Sequence, residues 1–425
     1  MTRFANFQGL PDPVALADDP ALVPCLASVL NGWHFEIAEH AERPAFATIE
    51  RRRRGFRLDS RWLDEPSTAD TPAGVITSLL VDLGYAFAGA SPGRLCLHAG
   101  AAELGGRLVV FPSASKAGKS ILIAALAAAG VRIFADDLLP IEGTPVRGVA
   151  LGIVPRLRLP LPRRAGAALR DFVRDHAGPA DQQNQFVKVP AELHAAHGET
   201  APVGAFVVLD RQRDGPAEIT EAAAGAGLRR MILQNLATTA AADAVFDRLR
   251  GLVEEFPCFT LRYARLEDAV AALRERFADW SRIERPGQGA SPLPKVEVSE
   301  VAPSLGLASA GGERFIRSPE AALHEVGGEA FLVHPARAGI YSLDPLALLA
   351  WKLLGTPTSG AEIAGLLSEV FPDTEPARIR KDVGALIKEL AARGLAVAEP
   401  RPPTKKGAPK RRPSRRTERE AAQTE

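Results

Sequence analysis

Residues 107–137 read RLVVFPSASKAGKSILIAALAAAGVRIFADD, and this stretch decides the fold of the central region. Apolar residues at 107–111 have the character of a buried strand and lead into a short polar loop. Small and aliphatic residues over 119–129 then predict a helix, and residues 131–135 predict a second strand. Strand, tight loop, helix and strand in this order indicate an α/β fold with a ligand site at the loop.

The loop before the helix has the layout of a phosphate-binding loop. Gly118, Lys119 and Ser120 stand at the helix start, where backbone N–H groups and the helix dipole attract phosphate oxygens. Lys119 is placed to reach the β and γ phosphates of ATP, and the Ser120 hydroxyl to ligate Mg²⁺. The other residues predicted to line the nucleotide are Ser113, Ala114, Ser115, Lys116 and Ala117.

Two loop positions depart from the usual glycine-rich pattern. Ser113 stands where the first glycine is expected, and Lys116 stands where glycine is also frequent. Glycine suits these positions because the backbone approaches phosphate closely and φ can be positive. The loop is therefore degenerate, and the sequence leaves open whether it supports catalysis or is a fortuitous Gly-Lys-Ser at a helix start.

Asp136 and Asp137 close the second strand. Carboxylates at the carboxyl end of a strand lie where open α/β sheets bind ligands. We expect one to hold Mg²⁺ and the other to accept the proton of an attacking hydroxyl, with Ser120 and Asp136 as the metal ligands. A pair of aspartates that merely caps the following loop is the structural alternative.

Residues 95–142 resemble the catalytic core of the HPr serine kinase/phosphorylase family, and the resemblance extends over about 90–280. That family has a histidine in an upstream strand, then a P-loop, then an Ala-Asp-Asp motif one helix later. The corresponding positions here are His98, Lys119, Ser120, Asp136 and Asp137. The resemblance implies ATP-dependent phosphorylation of a serine hydroxyl, with His98 near the phosphates. The family's Glu-bearing signature has no equal in residues 146–153, so the resemblance does not extend to phosphorolysis.

Three other polar features have a structural interpretation beside a functional one. Lys188 stands where kinase relatives often carry a basic residue near the site, but it also fits a surface lysine. His194 and His197 could share a helix face, yet they lack the cysteine or acidic partner of a metal site. The arginine run 51–54 is expected at a solvated hairpin edge rather than in an anion patch.

The C-terminal region has the pattern of a hairpin followed by three helices. Apolar strands over 330–343 surround a turn, Asp344 caps a first helix, and Ser359 caps a second. A third helix over 375–392 carries an amphipathic stripe, and its buried side is Ile379, Val383, Leu386, Ile387 and Leu390. Such a unit is winged-helix-like.

This segment resembles the PqqD family, the peptide chaperone or recognition element of ribosomally made, modified peptides. The resemblance lies in IYSL at 340–343, LLAWKLL at 348–354 and LAARGL at 390–395. It implies capture of an unstructured leader peptide, added as a strand beside the hairpin and resting on the third helix. Exposed positions such as Arg380, Lys381 and Lys388 are expected to face the leader.

Composition sets the domain plan. A chain of 425 residues with 46% apolar residues has enough length and core for two or three domains. Its net charge of +1 gives no global attraction to nucleic acid or membrane, and three distant cysteines predict no disulfide framework. The expected divisions are an N-terminal region of unknown role (1–75), an HPr-kinase-like P-loop domain (76–280), a linker (281–295), a PqqD-like domain (296–400) and a disordered basic tail (401–425).

Neither a membrane span nor a signal peptide is evident, so a cytoplasmic protein without a membrane partner is expected. We predict a kinase of Ser/Thr hydroxyls on a precursor peptide or small protein held by its PqqD-like module, working with a peptide-modifying enzyme. One alternative is an inactive, kinase-like scaffold that acts as a leader-peptide chaperone. A second is a winged-helix DNA-binding regulator, which the acidic residues of the third helix disfavour. HPr kinases assemble as hexamers, and the sequence leaves a homo-oligomer open.

Overall fold

The computed structural model describes residues 2–90, 94–113, 117–236, 241–284, 286, 313–335 and 339–399. Loop residues 114–116, most of the expected linker and the basic tail lie outside them. The chain forms two compact units, Met1–Leu305 with Pro319–Leu348, and Gly306–Ser318 with Leu349–Glu425. The residues of the C-terminal hairpin belong to the first unit, and the expected domain divisions stay a prediction.

The N-terminal region is a six-stranded sheet with two helices, and its strand order is β3-β1-β2-β4-β5-β6. Its elements are β1 (Arg3–Phe7), β2 (Val14–Leu16), α1 (Leu22–Val29), β3 (Phe35–Ala38), β4 (Ala47–Arg51), β5 (Phe56–Ser60), β6 (Ser67–Ala69) and α2 (Pro72–Gly89). The arginine run lies at the β4–β5 hairpin, where Gly55 takes a φ of +75°. α2 begins where the Thr71 hydroxyl accepts a hydrogen bond from the Gly74 N–H. Residues 1–75 are not independent, because their core also includes Leu138, Val154 and Phe186.

Among the described helices, α2 is the one long and apolar enough to cross a membrane, with a mean hydropathy of 1.3 over 18 residues. More than half of it is buried inside the protein. Leu79 and Leu83 on its inner side are fully buried in the N-terminal core. α2 is therefore packed as a core helix.

The central region is built on a nine-stranded mixed sheet. Its elements are β7 (Leu95–Leu97), β8 (Gly100–Leu104), β9 (Arg107–Phe111), α3 (Lys119–Ala128), β10 (Ile133–Ala135), β11 (Leu139–Glu142), β12 (Arg147–Val149), β13 (Arg156–Arg158), α4 (Ala167–Asp175), β14 (Ala177–Ala180), β15 (Asn184–Val187), a 3₁₀ turn (Ala191–Leu193), β16 (Thr200–Arg211), β17 (Glu218–Glu221), α5 (Ala224–Gln234), α6 (Ala242–Glu255), β18 (Cys258–Tyr263), α7 (Leu266–Arg276) and a second 3₁₀ turn (Trp280–Arg282). The strands and helix predicted around the loop are thus present, and the α/β fold class is confirmed.

The order of strands places the candidate site. The main path is β10-β8-β9-β16-β12-β11-β7, and β18 joins β16 on the same sheet with β17 beside it. β9, β16 and β18 are parallel neighbours, so their carboxyl ends meet at one edge. β10 ends directly before the two aspartates, on the other side of β9. β13, β15 and β14 form a separate small sheet.

Three further strands of the first unit form an antiparallel sheet in the order β20-β21-β22. They are β20 (Ala322–Val326), β21 (Glu329–His334) and β22 (Gly339–Leu343), preceded in the chain by β19 (Arg314–Arg317). Phe331 and Val333 are buried in the same core as Phe246 of α6. The Arg229 guanidinium also lies 2.9 Å from the Glu329 carboxylate. The predicted hairpin therefore packs on α5 and α6.

The remaining elements are α8 (Pro345–Leu353), β23 (Thr358–Ser359), α9 (Gly360–Val370), α10 (Pro376–Ala392) and β24 (Ala396–Ala398). Asp344 caps α8 by accepting a 2.8 Å hydrogen bond from the Ala347 N–H. Ser359 caps α9, and the Glu362 carboxylate accepts reciprocally from the Ser359 N–H at 2.7 Å. α9 packs against α10, whose buried stripe is Ile379, Val383, Ile387 and Leu390. The hairpin and three helices predicted for this region are present.

Candidate active site

A cleft of about 1000 Å³ opens beside the N-terminus of α3. One part of its wall is polar and consists of His98, Lys119, Ser120, Asp136, Asp137 and Arg156. Leu80, Val81 and Tyr85 of α2 supply another, largely apolar part. The fold thus brings the predicted histidine, lysine, serine and aspartates into one cavity, although they come from three separate stretches of sequence.

Lys119 is held by two groups of the site. Its Nζ atom donates a hydrogen bond to the Ser113 carbonyl oxygen at 3.1 Å and lies 3.1 Å from Nε2 of His98. Burial lowers the pKa of Lys119, and the charges of Asp137 and Asp136 oppose that shift. A phosphate bound at this lysine would compete with the Ser113 carbonyl and His98 for its hydrogen bonds, and its negative charge would add to the compensation that the two aspartates provide.

His98 follows β7 and links the lysine to Asp137. Its Nε2 atom lies 2.7 Å from Oδ1 of Asp137. Because an ammonium only donates and a carboxylate only accepts, the ring tautomer decides which of the two neighbours Nε2 bonds. With a proton on Nε2, His98 donates to Asp137; without one, it accepts from Lys119. The backbone N–H of His98 donates to the Gln234 carbonyl at 2.7 Å, which holds the residue in place.

The two aspartates have different environments. Burial, followed by the charge of Asp137, raises the pKa of Asp136 to about 6. Burial also tends to raise the pKa of Asp137, but the hydrogen bond and charge of His98, with the charge of Arg156, bring the net pKa below its ordinary value. Asp137 is therefore the more readily ionised carboxylate of the two, and the charge of Asp136 is the less compensated one.

Asp136 and Ser120 fit a magnesium ion. Oδ2 of Asp136 accepts from the Arg156 N–H at 3.0 Å, whereas Oδ1 is buried and accepts no hydrogen bond from the described residues. Ser120 lies beside this carboxyl group and opposes the rise of its pKa. Mg²⁺ usually takes one or two protein oxygens and completes its shell with phosphate oxygens and water. In the part of the chain that the structure describes, no group of three or more His, Cys, Asp or Glu side chains has the geometry to hold a metal ion by itself.

The serine that replaces the first loop glycine has a structural partner. The Ser113 hydroxyl is buried and accepts a 3.1 Å hydrogen bond from the Leu209 N–H of β16. Its side chain is thus used to join the loop to the sheet, and its carbonyl receives Lys119. Gly118 keeps the φ of +98° that favours glycine at this helix start. Ala117 is described beside it, whereas the predicted contacts of residues 114–116 lie outside the described residues.

Arg156 is a site residue that the sequence analysis missed. Its N–H bonds Asp136, and its Nη2 atom lies 3.6 Å from Oδ2 of Asp137. The signal available was an arginine at the start of a short apolar strand, and nothing in that pattern pairs it with residues 20 positions earlier. The sequence analysis also did not assign α2 to the wall of the cleft.

The other singled-out residues lie away from this cluster. Lys188 is exposed after β15 and is not part of the cleft wall. His194 is buried, and His197 stacks on Trp33 with ring centroids 4.6 Å apart. Arg380, Lys381 and Lys388 are exposed on α10, on the side away from its buried stripe. Their expected contact with a leader peptide stays a prediction.

Comparisons with known proteins add the following. The family model "Coenzyme PQQ synthesis protein D (PqqD)" matches residues 329–396. Among solved structures, the chain is similar to the HPr(Ser) kinase/phosphatase from Coxiella burnetii, with 11% identity and a TM-score of 0.22 over 43% of this chain and 93% of that one. No curated protein matches the chain in sequence.

The family match is confined to the C-terminal part of the described chain. Residues 329–396 therefore form a PqqD-family domain, and the described chain before them contains the α/β region that carries the candidate site.

Proposed function

We propose that this protein transfers the γ-phosphoryl group of ATP to a Ser or Thr hydroxyl of a peptide or small protein that its PqqD-family domain captures. The proposed setting is the maturation of a ribosomally made peptide in the cytoplasm. The observation that carries the proposal is the joint contact of His98 Nε2 with Lys119 Nζ and Asp137 Oδ1 at the N-terminus of α3. A cation, a carboxylate and a helix N-terminus are the parts that phosphoryl transfer needs in one place.

Each residue of the cluster has a task in this proposal. Backbone N–H groups at the start of α3 and the Lys119 ammonium bind the phosphate chain. Ser120 and Asp136 would hold Mg²⁺, which supplies charge neutralisation on the phosphate oxygens. Asp137 orients the acceptor hydroxyl and takes its proton as the new O–P bond forms and the bond to ADP breaks.

The pKa of Asp137 lies below its ordinary value, so it is a weak base. That suits a loose transition state, in which the acceptor hydroxyl keeps its proton until late and positioning matters more than base strength. His98 and Arg156 both hold Asp137, so its orientation is set by two elements. When phosphate binds, Lys119 exchanges His98 for phosphate oxygens, and His98 is then free to donate to Asp137 alone.

The PqqD-family domain supplies the substrate. A peptide that is bound elsewhere on the same chain reaches the cleft at a high effective concentration, so a weak contact at the acceptor residue suffices. β20 and β22 are the outer strands of their sheet, and main-chain pairing at such an edge is the expected form of capture.

A leader-peptide chaperone without catalysis is the second candidate, and one observation favours it. Ser113 replaces a loop glycine and its hydroxyl is committed to Leu209, while Lys119 is already bonded to the Ser113 carbonyl. If these contacts are permanent, the nucleotide site is closed and the protein only delivers peptide to a modifying enzyme.

Two measurements on the full chain distinguish the kinase from the chaperone: a titration with Mg-ATP and an assay of phosphoryl transfer to peptide. Mg-ATP binding is measured by calorimetry. Transfer is measured with γ-labelled ATP and a set of short peptides that contain Ser or Thr, with Ser/Thr→Ala peptides as controls. Mg-ATP binding together with label on a Ser or Thr supports the kinase. Tight peptide binding without any Mg-ATP binding supports the chaperone.

A further inference from the structure

The proposed mechanism leaves one buried polar group at the loop unused, the hydroxyl of Tyr263. This tyrosine ends β18 and is 1% exposed. Its Oη atom has no hydrogen-bond partner among the described residues. A Cβ placed on Gly118 would lie 3.0 Å from that Oη atom, so the hydroxyl sits directly against the residue that caps α3.

A buried hydroxyl without a partner is rare, because it loses its bonds to water and gains none. Burial raises the pKa of Tyr263, so the phenol keeps its proton and is a hydrogen-bond donor. The N-terminus of α3, ten residues long, attracts anions through its free N–H groups. A donor aimed at this point lacks only an anionic acceptor.

Arg211 adds a positive charge on the same flank. It ends β16 and pairs in register with Tyr263 of the parallel strand β18. Its exposed side chain lines the cleft with Lys119 and Ser120. Its guanidinium makes no ion pair within the described residues, and its charge acts on the Tyr263 hydroxyl. Nothing in the proposed mechanism accounts for this free cation.

If ATP binds as in the proposed function, the strand order indicates which of its phosphates these two residues would face. The loop follows β9, the aspartates follow β10 on one side of it, and Arg211 and Tyr263 end β16 and β18 on the other side. The transferred phosphate must lie near Asp137, where the acceptor hydroxyl is held. The flank formed by Arg211 and Tyr263 therefore faces the phosphates that stay with the nucleotide.

We propose that Arg211 and Tyr263 form a second phosphate-binding flank, in which the Arg211 guanidinium and the Tyr263 hydroxyl bind a non-transferred phosphate of a polyphosphate chain seated at the N-terminus of α3. The identity of that anion as ATP rests on the proposed function. The subsite itself requires only an inorganic polyphosphate, so pyrophosphate is a direct probe.

The test compares Arg211→Ala and Tyr263→Phe with the unchanged full chain. Arg213→Ala is the matched control, because Arg213 is exposed two positions further on and is not part of the cleft wall. Calorimetric titration with Mg-ATP and with Mg-pyrophosphate should show Kd raised about tenfold for each variant, since each loses a hydrogen bond to a charged group, and unchanged for the control. Tyr263→Phe should not lower the melting temperature of the free protein, because its hydroxyl has no partner to lose.

The outcomes separate this inference from the proposed function. If pyrophosphate binding depends on Arg211 and Tyr263 but no peptide is phosphorylated, the subsite is supported and the proposed kinase activity is contradicted. If peptide is phosphorylated and both variants bind Mg-ATP and Mg-pyrophosphate with unchanged Kd, the proposed kinase activity is supported and the subsite is contradicted. A chain that binds neither Mg-ATP nor pyrophosphate overturns both.

Discussion

Nε2 of His98 lies 2.7 Å from Oδ1 of Asp137, although the two residues are 39 positions apart in the chain. The same nitrogen is 3.1 Å from Nζ of Lys119, so the ring tautomer of His98 decides whether it bonds Lys119 or Asp137, the proposed phosphate-binding cation and the proposed acceptor-binding carboxylate. His98→Ala should lower the transfer rate on the order of 10²-fold, because Asp137 loses its orientation. Mg-ATP affinity should change much less. Steady-state kinetics check this, and an equal loss in kcat and in nucleotide affinity would contradict the positioning role.

The two aspartates should separate binding from transfer. Asp136→Asn removes the buried oxygen that fits Mg²⁺, so Mg-ATP binding should weaken while metal-free ATP binding stays the same. Asp137→Asn should keep Mg-ATP binding and lose transfer. Titrations with and without a chelator give the first result and labelled transfer gives the second. Identical phenotypes for both variants would refute the division of roles.

His194 predicts how stability depends on pH. Burial lowers its pKa to about 4, from an ordinary value of 6.5. Between these values the unfolded chain takes up the proton and the folded chain does not, so the free energy of unfolding falls as pH drops from 6.5 to 4. The full effect is about 3 kcal/mol. Burial also lowers the pKa of His197, which acts with the same sign.

Urea unfolding of the wild type and of His194→Leu at pH 7.5, 6 and 5 measures this effect. Neither ring nitrogen of His194 makes a well-formed hydrogen bond within the described residues, although the Ile153 backbone is close enough to oppose part of the fall in its pKa. The variant should lose much of the slope with pH. Arg132 and Glu199 face this histidine, and both stay in the variant, so an unchanged slope would assign the effect to other groups.

Ser359 should stabilise the second unit through its cap. Its hydroxyl accepts from the Glu362 N–H at the first turn of α9. Ser359→Ala should cost about 1 kcal/mol in the free energy of unfolding. Ser368→Ala is the control, because that hydroxyl only bonds the Ala364 carbonyl one turn back in the same helix. Chemical denaturation of the full chain measures the free energy of unfolding of both variants. An equal decrease in both would contradict a stabilising role of the Ser359 cap.

The sequence pattern from residue 107 to residue 137, which contains Lys119 and Asp136, correctly predicted the strand, helix and strand found there. Strand, loop, helix and strand follow one another within 31 residues, and each element is defined by its own composition. The caps at Asp344 and Ser359 are equally local, and both were predictable for that reason. The contact of His98 with Lys119 needed the family resemblance, because no periodicity links a strand end to a helix start across 21 positions.

The remaining parts depend on tertiary packing. Arg156 reaches the aspartates only because β13 begins beside β10's end, and α2 lines the cleft only because the N-terminal core extends to Leu138 and Val154. The hairpin belongs to the first unit because Phe331 packs against Phe246. No local sequence pattern predicts this contact. Long-range contacts of this kind cannot be predicted from local sequence patterns.

Lys119 tests the central claim most directly. The full chain and its Lys119→Ala variant are compared for transfer of label from γ-labelled Mg-ATP to peptide, with Lys188→Ala as the control, an exposed lysine outside the cleft wall. Loss of transfer on the order of 10²- to 10³-fold in Lys119→Ala, with full transfer in Lys188→Ala, is the result the account predicts. Transfer that continues at the wild-type rate without the Lys119 ammonium would contradict it.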